Sequence, residues 1–294
     1  MSHVRERAKQ TPKKEQEAAR REEDLVLRAR MQDIRRKLLV LSGKGGVGKS
    51  TVAANLAISM AQASKKVGLL DIDVHGPSVP KILGIEGCQI GVQNDHMVPV
   101  EVGENLSAMS IGLLLENPDD PVIWRGPRKY GVIRQFLKDV DWGRMDYLVV
   151  DSPPGTGDEP LSVAQLVVPG AEAVIVTTPQ ELSIADVRRC IRFCQALSLP
   201  IVGIIENMSG FLCPHCGQRT DLFKAGGGKQ LAGELGLPLL GQVPVDPNVV
   251  VSGDAGVPFI NGSANSPAGM AFAQITQRIL EAHGDTQLTS TAEN

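Results

Sequence analysis

Hydrophobic positions are spread unevenly along the chain. Residues 1–24 are polar and charged, as in KKEQEAARREED, and apolar residues at helical spacing, Leu25, Leu27, Met31 and Ile34, appear only after them. A solvated extension is expected there, with a partner-docking helix as the alternative. From Lys37 the pattern changes to short aliphatic runs: KLLVLS, KVGLLDID, MDYLVVD, AEAVIVTTP, PIVGIIENM and LPLLGQVPV. Runs of this length without strict alternation predict strands buried on both faces of a parallel sheet, and the helix-like stretches between several of them supply the crossovers. In SIADVRRCIRFCQALS, Ile184, Val187, Ile191 and Cys194 recur at three- and four-residue steps, which predicts a helix that packs Cys190 and Cys194 against the sheet. A last helix is expected across AGMAFAQITQRILEAH, with a polar tail after it.

Composition narrows the picture. The 294 residues carry a formal charge of −3, but residues 1–37 hold 12 Lys or Arg against 7 Asp or Glu. The basic arm could touch an anionic partner, yet nothing resembles a nucleic-acid-binding domain, and no nucleic-acid partner is expected. No leader pairs a basic head with an apolar stretch, and no apolar run approaches the ~18 residues of a membrane span, so a cytoplasmic protein without membrane contact is expected. Five cysteines in a chain this long do not make a disulfide framework. Cys88 is isolated; Cys213 and Cys216, separated by Pro214 and His215, are spaced so that both thiolates can reach one metal atom. Tetrahedral zinc takes four ligands and a cubane iron–sulfur cluster takes four cysteines, so two ligands are missing.

LLVLSGKGGVGKST runs from a predicted strand into a predicted helix, and its residues 43–50 fit G-x-x-x-x-G-K-S. Gly43, Gly45, Gly46 and Gly48, with Lys44 and Val47 between them, let successive N–H groups face one concavity at a helix N-terminus, where a polyphosphate is held largely by main chain. Lys49 neutralises the β- and γ-phosphates, Ser50 offers a hydroxyl to Mg²⁺, and Thr51 can donate to the α-phosphate. Lys44 is a second cation with no phosphate of its own chain left to serve. At the predicted strand end LLDIDVHGPS, Asp71 and Asp73 lie where open α/β sheets place ligands, and a carboxylate there can orient a water in line with the γ-phosphate. The fold class expected is α/β: residues 38–282 as a single P-loop NTPase domain with a mostly parallel central sheet flanked by helices, plus a charged N-terminal extension (1–37) and a polar tail (283–294).

SGKGGVGKST also resembles the deviant-P-loop ATPases of the MinD/ParA type. That resemblance implies that Lys44 crosses a dimer interface to the partner's nucleotide, that Asp73 is the residue orienting the attacking water, and that Asp151, at the end of MDYLVVD, is the carboxylate that holds a Mg²⁺-bound water. Pro153, Pro154, Gly155 and Gly157 would then form a loop that senses the γ-phosphate. It further implies that Asn207 recognises adenine and that Pro244 and Asp246, in PVDP, line the same pocket. Taken together, SGKGGVGKST, DIDVHGPSVP, WRGPRKYG, DSPPGTGDEPLS and ENMSGFLCPHCG are similar, in this order and over roughly residues 38–282, to the Mrp/ApbC group of iron–sulfur cluster carrier ATPases.

This implies an ATP-hydrolysing homodimer in which Cys213 and Cys216 of each chain meet to hold one [4Fe–4S] cluster. The cluster would be received from an assembly scaffold and handed to apo iron–sulfur proteins. Some members of the group carry a four-cysteine motif near the N-terminus; no cysteine precedes Cys88 here. Three alternatives stay open: zinc in place of the cluster at the same pair, a thioredoxin-like redox role for Cys-Pro-His-Cys, and a positional switch of the MinD/ParA kind. His215 is expected to face solvent.

Overall fold

The computed structural model describes residues 21–73, 76–114, 126–167 and 170–285. Residues 1–20 of the charged extension, Trp124 and Arg125 of WRGPRKYG, and residues 286–294 of the expected tail lie outside the described residues. Residues 21–32 form helix α1. The chain continues with β1 (Ile34–Ser42), α2 (Lys49–Gln62), β2 (Val67–Asp71), α3 (Val79–Leu83), β3 (Gly91–Gln93), β4 (His96–Val98), β5 (Val100–Gly103) and β6 (Leu106–Ser110). Next come α4 (Gly126–Asp139), β7 (Met145–Asp151), α5 (Asp158–Val167), β8 (Ala171–Thr177), α6 (Glu181–Ala196), β9 (Ile201–Leu212) and β10 (Arg219–Thr220). The last part is α7 (Gly227–Leu235), β11 (Leu239–Val245), α8 (Pro247–Asp254), α9 (Phe259–Ser263) and α10 (Pro267–Ala282).

The six aliphatic runs are β1, β2, β7, β8, β9 and β11, and the two helices read from periodicity are α6 and α10. The strands from β11 through β9, β8, β1, β7 and β2 to β6 are hydrogen-bonded in that order and all parallel. β5 closes the far edge antiparallel to β6, and β10 pairs antiparallel with the end of β9. Side chains alternate across the sheet, so β1 sends Leu39 and Leu41 into one core and Leu38 and Val40 into the other. The first core is covered by α1, α4, α5, α6 and α7, the second by α2, α3, α9 and α10. Helices on both faces explain why the strands read as continuous apolar runs instead of alternating ones. Cys190 and Cys194 lie fully buried in the first core, as packing residues.

Two details of the chain ends depart from the apolar pattern. β1 starts at Ile34, ahead of the aliphatic run, because Arg35 and Arg36 are strand residues whose guanidinium groups reach Asp285 at 2.6 Å and Glu172 at 3.7 Å. Asp285 is buried, accepts a 2.6 Å hydrogen bond from the Tyr147 hydroxyl, and receives Lys65 on its backbone carbonyl, so residues 283–285 are fastened to the amino ends of the strands. α1 is likewise docked: Leu27 and Met31 enter the core, Arg30 pairs with Asp141 at 2.6 Å, and Arg134 of α4 pairs with Asp24 at 2.8 Å.

Candidate active site

β1 is the central strand, and its carboxyl end passes through residues 43–48 into α2. Gly46 and Gly48 both have φ of +79°, a left-handed conformation that costs an L side chain about 1–2 kcal/mol. Gly43 has no room for a Cβ, which would overlap the Asp186 backbone of α6, and a Cβ on Gly48 would overlap the Asn207 amide. The Ser42 hydroxyl donates to the Lys44 carbonyl at 2.9 Å, and Val47 is buried, so the loop is pinned at both ends while Gly45 and Gly46 face solvent. Ser50 and Thr51 follow in the first turn of α2, where backbone N–H groups have no intrahelical acceptor. Lys44 is half-buried, and its ammonium has no partner among the described residues.

Lys49 points down onto the acidic strand ends. It is 6% exposed, and its Nζ lies 2.5 Å from Asp151 Oδ1 and 3.6 Å from Asp73 Oδ2. Asp71 and Asp151 end adjacent strands and are register partners, both fully buried. Burial and the neighbouring Asp151 push the Asp71 carboxyl up to about 8, against the opposing effects of the Asp73 N–H, the Ser110 hydroxyl and Lys49. Burial also raises Asp151, with Lys49 and the Ser50 hydroxyl opposing, and Asp151 Oδ2 has no close hydrogen-bond partner among the described residues. Asp73 and Asp151 thus share one ammonium, with the raised Asp71 carboxyl beside them, an acidic cluster that suits a divalent cation. The loop after β7 is tied back to the phosphate loop by the Gly155 N–H, which donates to the Ser42 carbonyl at 2.9 Å.

The remaining expected residues cluster around the end of β9. Asn207 Nδ2 donates to the Val47 carbonyl at 2.9 Å, which joins β9 directly to the phosphate loop. Val243 of β11 is its register partner, and Pro244 follows. Asp246 caps α8, accepting from the Asn248 N–H at 2.9 Å, so its carboxylate is engaged locally.

β9 runs past the end of β8, whose last pairing is Thr177 with Glu206, by six residues, or at most about 20 Å at ~3.3 Å per residue. There it turns back into β10, with Leu212 opposite Arg219, and Cys213 to Cys216 form the tip. The tip is closed by hydrogen bonds from Gly217 N–H to the Cys213 carbonyl (2.8 Å) and from Cys213 N–H to the Gln218 carbonyl (3.0 Å). The N–H groups of Cys216 and His215 aim at the Cys213 sulfur, and with the Cys216 side chain they lower its thiol below the usual range. Cys216, Pro214 and His215 are exposed. Among the described residues no group of three or more His, Cys, Asp or Glu is placed to hold a metal, so the described part of one chain offers this pair of sulfurs and no third ligand beside it.

Glu206 was not legible as a site residue. Its buried carboxylate receives the N–H groups of Gly226 and Gly228, the Ser209 hydroxyl and the Gln242 amide. A single Glu in an apolar run carries no periodicity signal, and its main-chain donors lie some 20 residues downstream.

A glycine-rich loop between the central parallel strand and a helix, with Lys49 and two acidic strand ends beneath it, defines a P-loop nucleotide-binding protein. Residues 33–280 match the ParA family model described as NUBPL iron-transfer P-loop NTPase, and the chain belongs to that family; it is an ATP hydrolase. The similarity to the Mrp/ApbC group is thereby borne out. A nucleotide-binding protein from Archaeoglobus fulgidus, solved in complex with ADP and with Co found by PIXE, is 40% identical with a TM-score of 0.72, over 80% of this chain and 92% of that one. The septum site-determining protein MinD from Pyrococcus horikoshii, complexed with Mg-ADP, shares the fold at 21% identity and a TM-score of 0.65, over 86% and 99% of the two chains. MinD from Aquifex aeolicus is 25% identical with a TM-score of 0.60, over 84% and 97%. No helix among the described residues is long and apolar enough to cross a membrane.

Proposed function

We infer that the protein is an ATP-driven carrier that holds a [4Fe–4S] cluster, as cargo, between two copies of itself and delivers it to apo iron–sulfur proteins. The observation that carries this reading is the half-site: two thiols on a hairpin tip that extends from the nucleotide end of the sheet, one of them with its pKa lowered by main-chain N–H groups, with no further ligand among the described residues. A second copy related by a two-fold axis brings the other two. A cluster shared by two chains is released when their contact loosens, so cluster retention and nucleotide state become two readouts of one equilibrium.

In the hydrolytic site the loop from Gly43 to Gly48 cradles the phosphates. Lys49, drawn off Asp151, neutralises the β- and γ-oxygens, and Thr51 donates to the α-phosphate. Ser50 and Asp151 Oδ2, which has no close partner among the described residues, would hold Mg²⁺, which would supply charge neutralisation at the phosphates. Asp73 orients the attacking water as the bond to the γ-phosphorus forms and the bond to the bridging oxygen breaks. The half-buried Lys44, without a partner among the described residues, is available to a neighbouring chain's nucleotide and stabilises charge on the leaving oxygens in trans. Asn207 reads the adenine edge, and Pro244 and Asp246 flank the base. A cytoplasmic location, with a scaffold protein as cluster donor, fits the free thiols.

The test is anaerobic reconstitution with iron and sulfide. About four irons per dimer are expected; iron retained after Cys213→Ala and Cys216→Ala together refutes the reading. A second reading is a MinD/ParA-like switch with structural zinc at the same pair, favoured by the N–H groups aimed at the Cys213 sulfur, since thiolates bound to zinc are stabilised in the same way. It predicts zinc that stays bound through nucleotide turnover and no cluster delivery to an apo-acceptor.

A further inference from the structure

Glu206 closes the part of β9 that pairs with β8, and four donors converge on its carboxylate. Ser209 Oγ, the Gly226 N–H and Gln242 Nε2 (2.7 Å) converge on Oε1, and the Gly228 N–H meets Oε2. Gln242 also donates to the Ser209 hydroxyl at 3.1 Å, which directs the Ser209 proton to Glu206. Burial alone would raise this carboxyl, but the four hydrogen bonds outweigh it and hold it below the usual range. Only an anion fits; an amide would set N–H against N–H. Through these bonds Glu206 fastens the start of α7, the middle of β11 and the base of the cysteine hairpin to a single point.

The next residue, Asn207, grips the phosphate loop at the Val47 carbonyl, and its amide fills the space beside Gly48. Beyond it the backbone is tightly specified. Met208 and Gly210 have φ of +57° and +76°, and a Cβ on Gly210 would displace the exposed Arg219 and Asp221 side chains. Arg219 Nη2 lies 3.5 Å from the Ser209 carbonyl, and Leu212 pairs with Arg219 just before Cys213. One strand therefore links the phosphate loop, gripped at Asn207, to the thiols at its far end, and Glu206 anchors that strand one residue before the grip.

We propose that Glu206 is a positioning residue that couples the two sites, so that nucleotide in the phosphate loop alters how Cys213 and Cys216 are presented. Phosphates that draw Lys49 from Asp151 shift Val47 and Gly48 against Asn207. Because Glu206 locks the strand to α7 and β11, that shift is not absorbed locally and passes to the hairpin. The proposal gives the carrier reading its regulation, but its test needs no cluster.

In the metal-free full chain, iodoacetamide alkylation of Cys213 and Cys216 is followed by peptide mass spectrometry with and without saturating Mg-ADP. Half-buried Cys88 serves as the reference thiol. In the wild type, Mg-ADP changes the rate at the pair by about fivefold or more and leaves Cys88 unchanged. In Glu206→Gln the ratio falls to within about twofold of one, while the Mg-ADP dissociation constant stays within about threefold. A purely structural role would change both rates alike and preserve the ratio. A ratio of one in the wild type, or a preserved ratio in Glu206→Gln, overturns the proposal. If Glu206→Gln does not fold, Gln242→Leu, which removes one donor, must lower the ratio at least about twofold, and an unchanged ratio is equally fatal. Failure of the carrier reading appears separately, as absent iron uptake with the alkylation ratio intact.

Discussion

Replacing Lys49 with Met tests the electrostatics beneath the phosphate loop even without nucleotide. In the wild type one ammonium, 6% exposed, serves Asp151 at 2.5 Å and Asp73 at 3.6 Å, with the fully buried Asp71 as register partner of Asp151. Methionine roughly preserves the volume and removes the charge, so Asp151 is left buried without a cation. Breaking one member of a buried pair costs about 3–5 kcal/mol. For a chain of this size that is a fall in thermal midpoint of roughly 6–15 °C, at about 2–3 °C per kcal/mol.

The sign of the pH dependence is fixed by the same groups. Asp71 and Asp151 already have raised folded-state pKa values, and losing Lys49 raises Asp151 further. A carboxyl raised in the folded state favours folding at low pH, and that advantage disappears as pH rises toward the folded value. The variant's deficit is therefore largest near pH 8 and shrinks toward pH 5.5. The assay is thermal and urea denaturation of nucleotide-free protein in chelator at both pH values. Equal stability at pH 8, or a deficit that grows toward acid, refutes the reasoning.

Lys44→Ala should slow ATP hydrolysis at least about 100-fold while leaving Mg-ADP affinity within about fivefold, if the residue acts as proposed on the transition-state charge of another chain's nucleotide. Steady-state turnover set against ADP titration checks this, and undiminished turnover contradicts it. Tyr147→Phe removes the 2.6 Å hydrogen bond to the Asp285 carboxylate and should cost about 1.5–3 kcal/mol in urea denaturation at pH 7. Burial alone would raise Asp285, but Tyr147 and Arg35 outweigh it and hold it below its ordinary value. Its contribution is therefore present above the unfolded pKa and fades in acid; a deficit that persists undiminished at pH 3 would count against the clasp.

Much of the fold was legible because a sheet covered on both faces writes its strands as apolar runs, and β1, β2, β7, β8, β9 and β11 all obey that rule. The phosphate loop was legible because its glycines and Lys49 sit next to one another in sequence. The hairpin β3–β4, the edge strand β5 and β6 were missed: they are three to five residues long, and β3, β4 and β5 are exposed or only half-buried. α8 buries no residue and so has no apolar face to read; only Asp246 and Pro247 mark its start. The Asp285 clasp and the Glu206 node were hidden for a related reason. Each is a lone acid whose partners come from distant elements, and a sequence pattern records neighbours along the chain, not across it.

In the proposed carrier, two chains share one cluster through Cys213 and Cys216. Native mass spectrometry of anaerobically reconstituted protein tests it most directly. The account predicts a dimer carrying a single four-iron, four-sulfide mass increment, and a cluster-free protein when both cysteines are alanine. A monomer that carries the cluster, or a loaded dimer that survives the double substitution, contradicts it.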